Sequence, residues 1–225
     1  MFNRQIEITR ENESILFINA VVENLRYGII SLDIVFKIFP FMNKDTSFMN
    51  FFEVMAYSFI GVALIEEFCK FIMAFAGSYF NKAYDEVYDG IVYAVYVSLG
   101  FACFENILYV FANQSIAVGI SRGILSVPGH ACDAVFMGYY LSLAKVYASQ
   151  GRKDLEKRNI VLSVVVPTIL HGIYDFCLFV NIDAMVCITK NKTRTLFNVC
   201  LLLFSIKALS IGAIMYSTRY AHTNQ

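Results

Sequence analysis

Glu66, Glu67, Glu105, His130 and His171 are the residues best suited to chemistry in this sequence, and each is set in a run rich in Phe, Ile, Leu, Val and Ala. A charge at the centre of a membrane helix costs about 2.5–3.5 kcal/mol on insertion scales, so such groups must face one another or a water-filled cavity. Two uses suit the set. Two histidines and a glutamate make a His₂Glu zinc site with one position left for water, a further glutamate serving as general base. Alternatively, a buried glutamate activates water without a metal while His and Asn stabilise the oxyanion. Both end in hydrolysis. The metal candidates are Glu105, His130 and His171, and the cofactor is either none or a divalent ion such as zinc. Metal-free catalysis is preferred, because the ligands come from dispersed helices.

Helical spacing adds supporting residues. Lys70 lies four residues after Glu66 and three after Glu67, so it can pair with either on one face. One glutamate is then neutralised while the other, turned by about 100°, stays available. His171 and Asp175 stack one turn apart, so Asp175 can orient the imidazole. Asn106 follows Glu105 directly and is expected to line the same cavity. Pro167, one turn before His171, predicts a kink there. HExxH, GxSxG and GxxxxGK are absent.

The elements that must hold these residues are membrane helices. Of 225 residues 58% are hydrophobic, above the roughly 45–50% of soluble domains. Lys+Arg and Asp+Glu are both 18, which leaves no basic surface for nucleic acid. Apolar runs without period-2 alternation favour helices over strands. Six spans are predicted, at about 27–42, 50–77, 90–112, 126–147, 159–180 and 197–217, an all-α, polytopic transmembrane bundle forming one domain over 1–225. Residues 13–26 read as amphipathic. The opening MFNRQIEITRENES lacks the pattern of a cleaved signal peptide, so the apolar segments are expected to remain.

Between the spans, Asp85, Glu86 and Asp89 read as a solvated loop, Tyr84 and Tyr88 as an interfacial aromatic pair, and the Arg122 region as a connector. The six cysteines show no CxxC pair and read as packing residues. Arg152, Lys153, Lys157 and Arg158, with Arg4, Arg10, Lys82 and Arg219, outnumber Lys44, Arg122, Lys190, Lys192 and Arg194 on the other side. The positive-inside rule then places both termini in the cytoplasm and a scissile bond toward the outer face. At a rise of about 1.5 Å per residue, those span boundaries put His130, Glu105 and His171 roughly 6, 10 and 14 Å from the outer helix ends, with Glu66 and Glu67 deeper.

EEFCK (66–70), YDGIVY (88–93), SLGFACFENILY (98–109), Gly129–His130 with Gly138, and HGIYDF (171–176) together resemble the PrsW family of bacterial intramembrane proteases across about 50–180. The resemblance implies that Glu66 and Glu67 are the paired glutamates, Glu105 the glutamate of FxxxEN, and His130 and His171 the two histidines, all catalytic. It also implies site-1 cleavage of a single-span anti-sigma factor in stress signalling, at the cell membrane, by a fold distantly related to CAAX prenyl endopeptidases. Family members often begin with an additional span and an acidic Glu-Pro segment, and RQIEITRENES does not supply the latter. Competing readings are a proton- or cation-coupled transporter, since intramembrane Glu and His also relay protons, and a non-catalytic immunity-type protein.

Overall fold

The computed structural model describes residues 48–185 and Ile211. The spans expected at 27–42 and 197–217, the amphipathic stretch before them, Cys187 and Cys200 lie outside the described residues.

A first helical run opens on Asn50, whose side chain accepts from the Glu53 amide while Glu53 accepts from the Asn50 amide. This reciprocal cap satisfies two of the donors every helix start leaves over. The run continues through α1 (Phe51–Ala56), a π-helical stretch π1 (Tyr57–Leu64), α2 (Ile65–Ala74) and a second π stretch π2 (Phe75–Tyr79). A π turn is wider than an α turn and is frequent at functional sites, and π1 ends two residues before Glu66. Three long helices follow: α3 (Val87–Asn113), α4 (Ile116–Ser149) and α5 (Lys153–Met185). Helix α3 ends at Gln114, held in the left-handed region at φ 50, and the α4–α5 turn uses Gly151 at φ 72.

Among the described residues the architecture is helical throughout. Two helices, Val87–Asn113 and Lys153–Val180, are long and apolar enough to cross a membrane. The outer surface is apolar as well: Phe52, Phe111, Ile116 and Ile124 are each more than two-thirds exposed. Helices pass through Pro128 and Pro167 without a break in assignment. At about 1.5 Å per residue, α4 is roughly 50 Å long, well over the roughly 30 Å hydrocarbon core.

Helix α4 packs along both α3 and α5, and α5 closes back on π1. Gly138 is needed where α3 and α4 cross, because a Cβ there would collide with the Gly90 carbonyl. Gly172 plays the same part on α5, where a Cβ would strike the Phe59 ring of π1. That contact sets His171 beside the glutamates of α2. The apolar core, including Val97, Met137, Leu141 and Ala144, fills the end nearer the α4–α5 turn.

Three expectations change here. The region around Arg122 is helical, as part of α4, and not a connector. Asp85 and Glu86 are exposed in the loop as expected, but Asp89 lies in the first turn of α3, where its carboxylate accepts from both of their amides. Tyr84 is buried, sharing a 2.7 Å hydrogen bond with Ser142, while Tyr88 is exposed. Burial pushes the Tyr84 phenol well above the ordinary tyrosine range, so it stays neutral. No disulfide joins the cysteines among the described residues.

Candidate active site

All four helical runs contribute. Helix α2 supplies Glu66, Glu67 and Lys70, α3 supplies Glu105, α4 supplies Arg122 and His130, and α5 supplies His171 and Asp175. Their polar atoms form one continuous chain. Arg122 Nη2 lies 2.6 Å from Glu105 Oε1, and Glu105 Oε2 lies 3.0 Å from His130 Nε2. His130 Nδ1 is 2.9 Å from Lys70 Nζ, which donates to Glu67 Oε1 at 2.7 Å. Glu67 Oε1 also lies 2.8 Å from His171 Nδ1, and His171 Nε2 lies 3.3 Å from Asp175. Acidic and basic groups alternate along it except where His130 lies between Glu105 and Lys70, so Arg122, Lys70, Glu105 and Glu67 each have an oppositely charged partner in the chain, the condition for keeping a charge in an apolar bundle.

The chain fixes a tautomer. An ammonium only donates, so Nδ1 of His130 accepts from Lys70 and the ring proton sits on Nε2, facing Glu105. Ser98 on α3 reinforces the position by donating to the His130 carbonyl at 2.8 Å. Lys70 also lies over the Phe101 ring at 4.6 Å, which adds cation–π attraction.

The two adjacent glutamates have different surroundings. Glu67 is fully buried and its Oε1 takes two partners. The Glu66 side chain is 17% exposed, and its Oε2 makes no hydrogen bond, with Lys70 Nζ at 3.7 Å and His171 Nε2 at 3.9 Å. Glu105 shares the more open side, also at 17%.

Metal fit follows from which donors converge. One ligand atom each from Glu66, His130 and His171 lies within 4.8 Å of the others, and Glu67, Asp133 and His171 do the same. The Lys70 ammonium already stands against Glu67 in the second group. Each group contains a glutamate oxygen that no hydrogen bond takes, Glu66 Oε2 in the first and Glu67 Oε2 in the second, so it is the His₂Glu composition of the first that suits catalytic zinc. The residues fit a divalent ion that displaces a ring proton from each imidazole, since both nitrogens of His130 and of His171 are hydrogen-bonded here and a ligating histidine must be neutral. Glu105, a candidate ligand by sequence, belongs to neither converging group, because Arg122 and His130 engage its two oxygens.

Asn106 is adjacent to this site without serving it as expected. Its Nδ2 donates to the Gly119 carbonyl at 3.0 Å, tying the end of α3 to the start of α4. One of its two amide protons is thus engaged away from an oxyanion. Two residues escaped the sequence reading. Asp133 is buried one turn beyond His130 and joins the second group. Arg122 was missed as a site residue because Gly119 and Gly123 beside it look like loop punctuation; the i, i+4, i+8 spacing of Arg122, Ser126 and His130 was the available signal. The boundary change also moves the histidine. Fourteen residues into α4, His130 lies about 21 Å from the helix start, much deeper than a span beginning at 126 would place it.

A family model described as "PrsW family intramembrane metalloprotease" matches residues 18–208. The chain is 35% identical over 141 residues to Protease PrsW of Clostridioides difficile, covering 61% of this chain and 58% of that protein. It is 36% identical over 154 residues to Protease PrsW of Oceanobacillus iheyensis, covering 68% and 69%. Against Protease PrsW of Bacillus subtilis the identity is 41% over 121 residues, covering 54% and 53%. The matches thus span between about half and seven-tenths of those relatives' lengths. No solved structure matches the chain.

Proposed function

The chain belongs to the PrsW family of intramembrane metalloproteases, and from that premise we propose that it is a multi-pass membrane endopeptidase cutting a peptide bond in a single-span substrate. The observation that carries this reading is the unbonded Glu66 oxygen beside His130 and His171, on three different helices of an apolar bundle. Glu66, His130 and His171 would hold the divalent ion, which when bound polarises a carbonyl and lowers the pKa of bound water. The convergence of those donors answers the objection that ligands on dispersed helices disfavour a metal.

The chain's own residues do the rest. Glu67 and Asp175 face the two ring nitrogens of His171 and fix its plane. Lys70 pairs with Glu67 and orients the His130 ring. Glu105, on the open side and one hydrogen bond from His130, would accept a proton from the attacking water and pass it to the leaving amine. A metal-free reading, with Glu66 as the base, is favoured by one observation: Lys70 supplies an internal cation 3.7 Å from Glu66.

The substrate class we propose is a membrane-anchored anti-sigma factor, supported by the motif resemblance. The enzyme would reside in the cell membrane, with the α4–α5 turn and the basic start of α5 cytoplasmic and the cut toward the opposite face. The test uses the purified full chain in detergent with a single-span substrate, products mapped by mass spectrometry. Cleavage abolished by Glu66→Gln supports the reading, and equal cleavage by that variant overturns it. Chelation that removes both metal and activity selects the metal reading over the metal-free one.

A further inference from the structure

Arg122 is a half-buried cation on the open side of the site. Its Nη2 grips Glu105 Oε1 at 2.6 Å and lies 3.4 Å from Ser126 Oγ. Ser126 Oγ and Glu105 Oε2 both meet His130 Nε2, at 3.2 and 3.0 Å. Arg122, Glu105, His130 and Ser126 therefore close a ring of side chains across α3 and α4. The Tyr109 ring, one turn beyond Glu105, lies against the guanidinium at 3.7 Å and fixes its plane.

We propose that Arg122 is a positioning residue for the proteolytic reaction: by holding Oε1 of Glu105 it presents Oε2 to the Nε2 proton of His130. The inference rests on the proteolytic reading above. A carboxylate swings about its last torsion, and only a grip on the second oxygen holds the first at a fixed distance from the imidazole. A planar, forked cation does this, whereas an ammonium is a point charge with no fixed plane. The guanidinium also offsets the Glu105 charge, which otherwise stands near Glu66 without a cation on the open side. The fold does not depend on this contact, since α3 and α4 already meet at Gly90–Gly138 and through Asn106–Gly119.

The test takes the full chain in detergent. In Arg122→Gln, kcat falls by about 10–100-fold, the usual cost of losing a residue that orients a catalytic group, with KM within about twofold. Arg122→Lys recovers part of the loss. Glu105→Gln combined with Arg122→Gln is no slower than Glu105→Gln alone, because the two residues act as a unit. With only three histidines in the chain, selective imidazole ¹⁵N labelling isolates His130, assigned through His130→Ala. Its Nε2 resonance shifts in Arg122→Gln and stays fixed in Asp85→Asn. Should Arg122→Gln fail to fold, Tyr109→Leu, which frees the guanidinium plane, carries the same kinetic and spectroscopic expectations in weaker form. A raised KM with unchanged kcat would make Arg122 a substrate contact and overturn the proposal, as would multiplicative losses with Glu105→Gln or an unmoved His130 resonance. If the wild-type chain cleaves nothing, the proteolytic reading falls, and the resonance alone still decides whether Arg122 positions Glu105 and His130.

Discussion

Replacing Glu67 by Gln and replacing Glu66 by Gln should have the same effect on cleavage and unequal effects on stability. Glu67 is fully buried, and its Oε1 lies 2.7 Å from Lys70 Nζ and 2.8 Å from His171 Nδ1. A glutamine keeps the shape and removes the charge, leaving the buried Lys70 ammonium short of its nearest counter-ion. Breaking a buried pair on one side costs about 3–5 kcal/mol. Lys70 retains His130 at 2.9 Å and Glu66 at 3.7 Å, so about 3 kcal/mol is the expected loss. For a chain of this size each kcal/mol shifts Tm by about 2–4 °C, so the melting point should fall by roughly 6–12 °C. The Glu66 Oε2 has no hydrogen bond to lose, and Glu66→Gln should change stability by about 0.5 kcal/mol or less. The assay is paired: thermal melts of both variants in one detergent, and cleavage of a single-span substrate by each. Equal melting points for the two variants would refute the division of labour between the adjacent glutamates.

Three further outcomes follow from the same geometry. His130→Ala, His171→Ala and Glu105→Gln should each abolish cleavage while the protein remains inserted, and Asp85→Asn should retain most activity; full activity in two of the first three would dismantle the constellation. Metal analysis of the purified chain should find a divalent ion lost in Glu66→Gln and His171→Ala but kept in Glu105→Gln, and retention in all three would remove Glu66 from the ligand set. Gly138→Val should separate α3 from α4 at Gly90 and cost about 1–3 kcal/mol by overpacking, whereas Gly123→Ala, where a Cβ meets nothing within 4 Å, should be neutral in a thermal melt.

The helices were readable where hydropathy alone decides and blurred where polar residues extend them. The apolar runs at about 50–77, 90–112 and 159–180 lie within the Phe51–Tyr79 run, α3 and α5. The largest error is α4, which begins at Ile116 instead of near 126. Gly119, Ser121, Arg122 and Gly123 lower the local hydropathy and look like a loop. Each has a tertiary reason to be in the helix: the Gly119 carbonyl receives Asn106, and Arg122 receives Glu105. Such reasons lie on the partner helix and are invisible in the segment itself. Likewise, KDLEKRN reads as a charged loop, but its residues start α5 because a helix end in water needs no apolar face.

Within the site, pairs on one helix were legible and pairs between helices were not. The Lys70 spacing led to both glutamates, and the His171 spacing to Asp175, as the 2.7, 3.7 and 3.3 Å contacts show. Which glutamate turns inward depends on how π1 rotates α2 against α5. Gly172 and Phe59 set that rotation through a contact that no spacing rule reveals. The same limit explains why Glu105 looked like a metal ligand: a glutamate near two histidines suits zinc by composition, and only the register of α3 against α4 puts Arg122 on one of its oxygens and His130 on the other. With both oxygens engaged, Glu105 is held as a carboxylate between Arg122 and His130. The carboxylate that converges with the two histidines is that of Glu66, whose Oε2 takes no hydrogen bond.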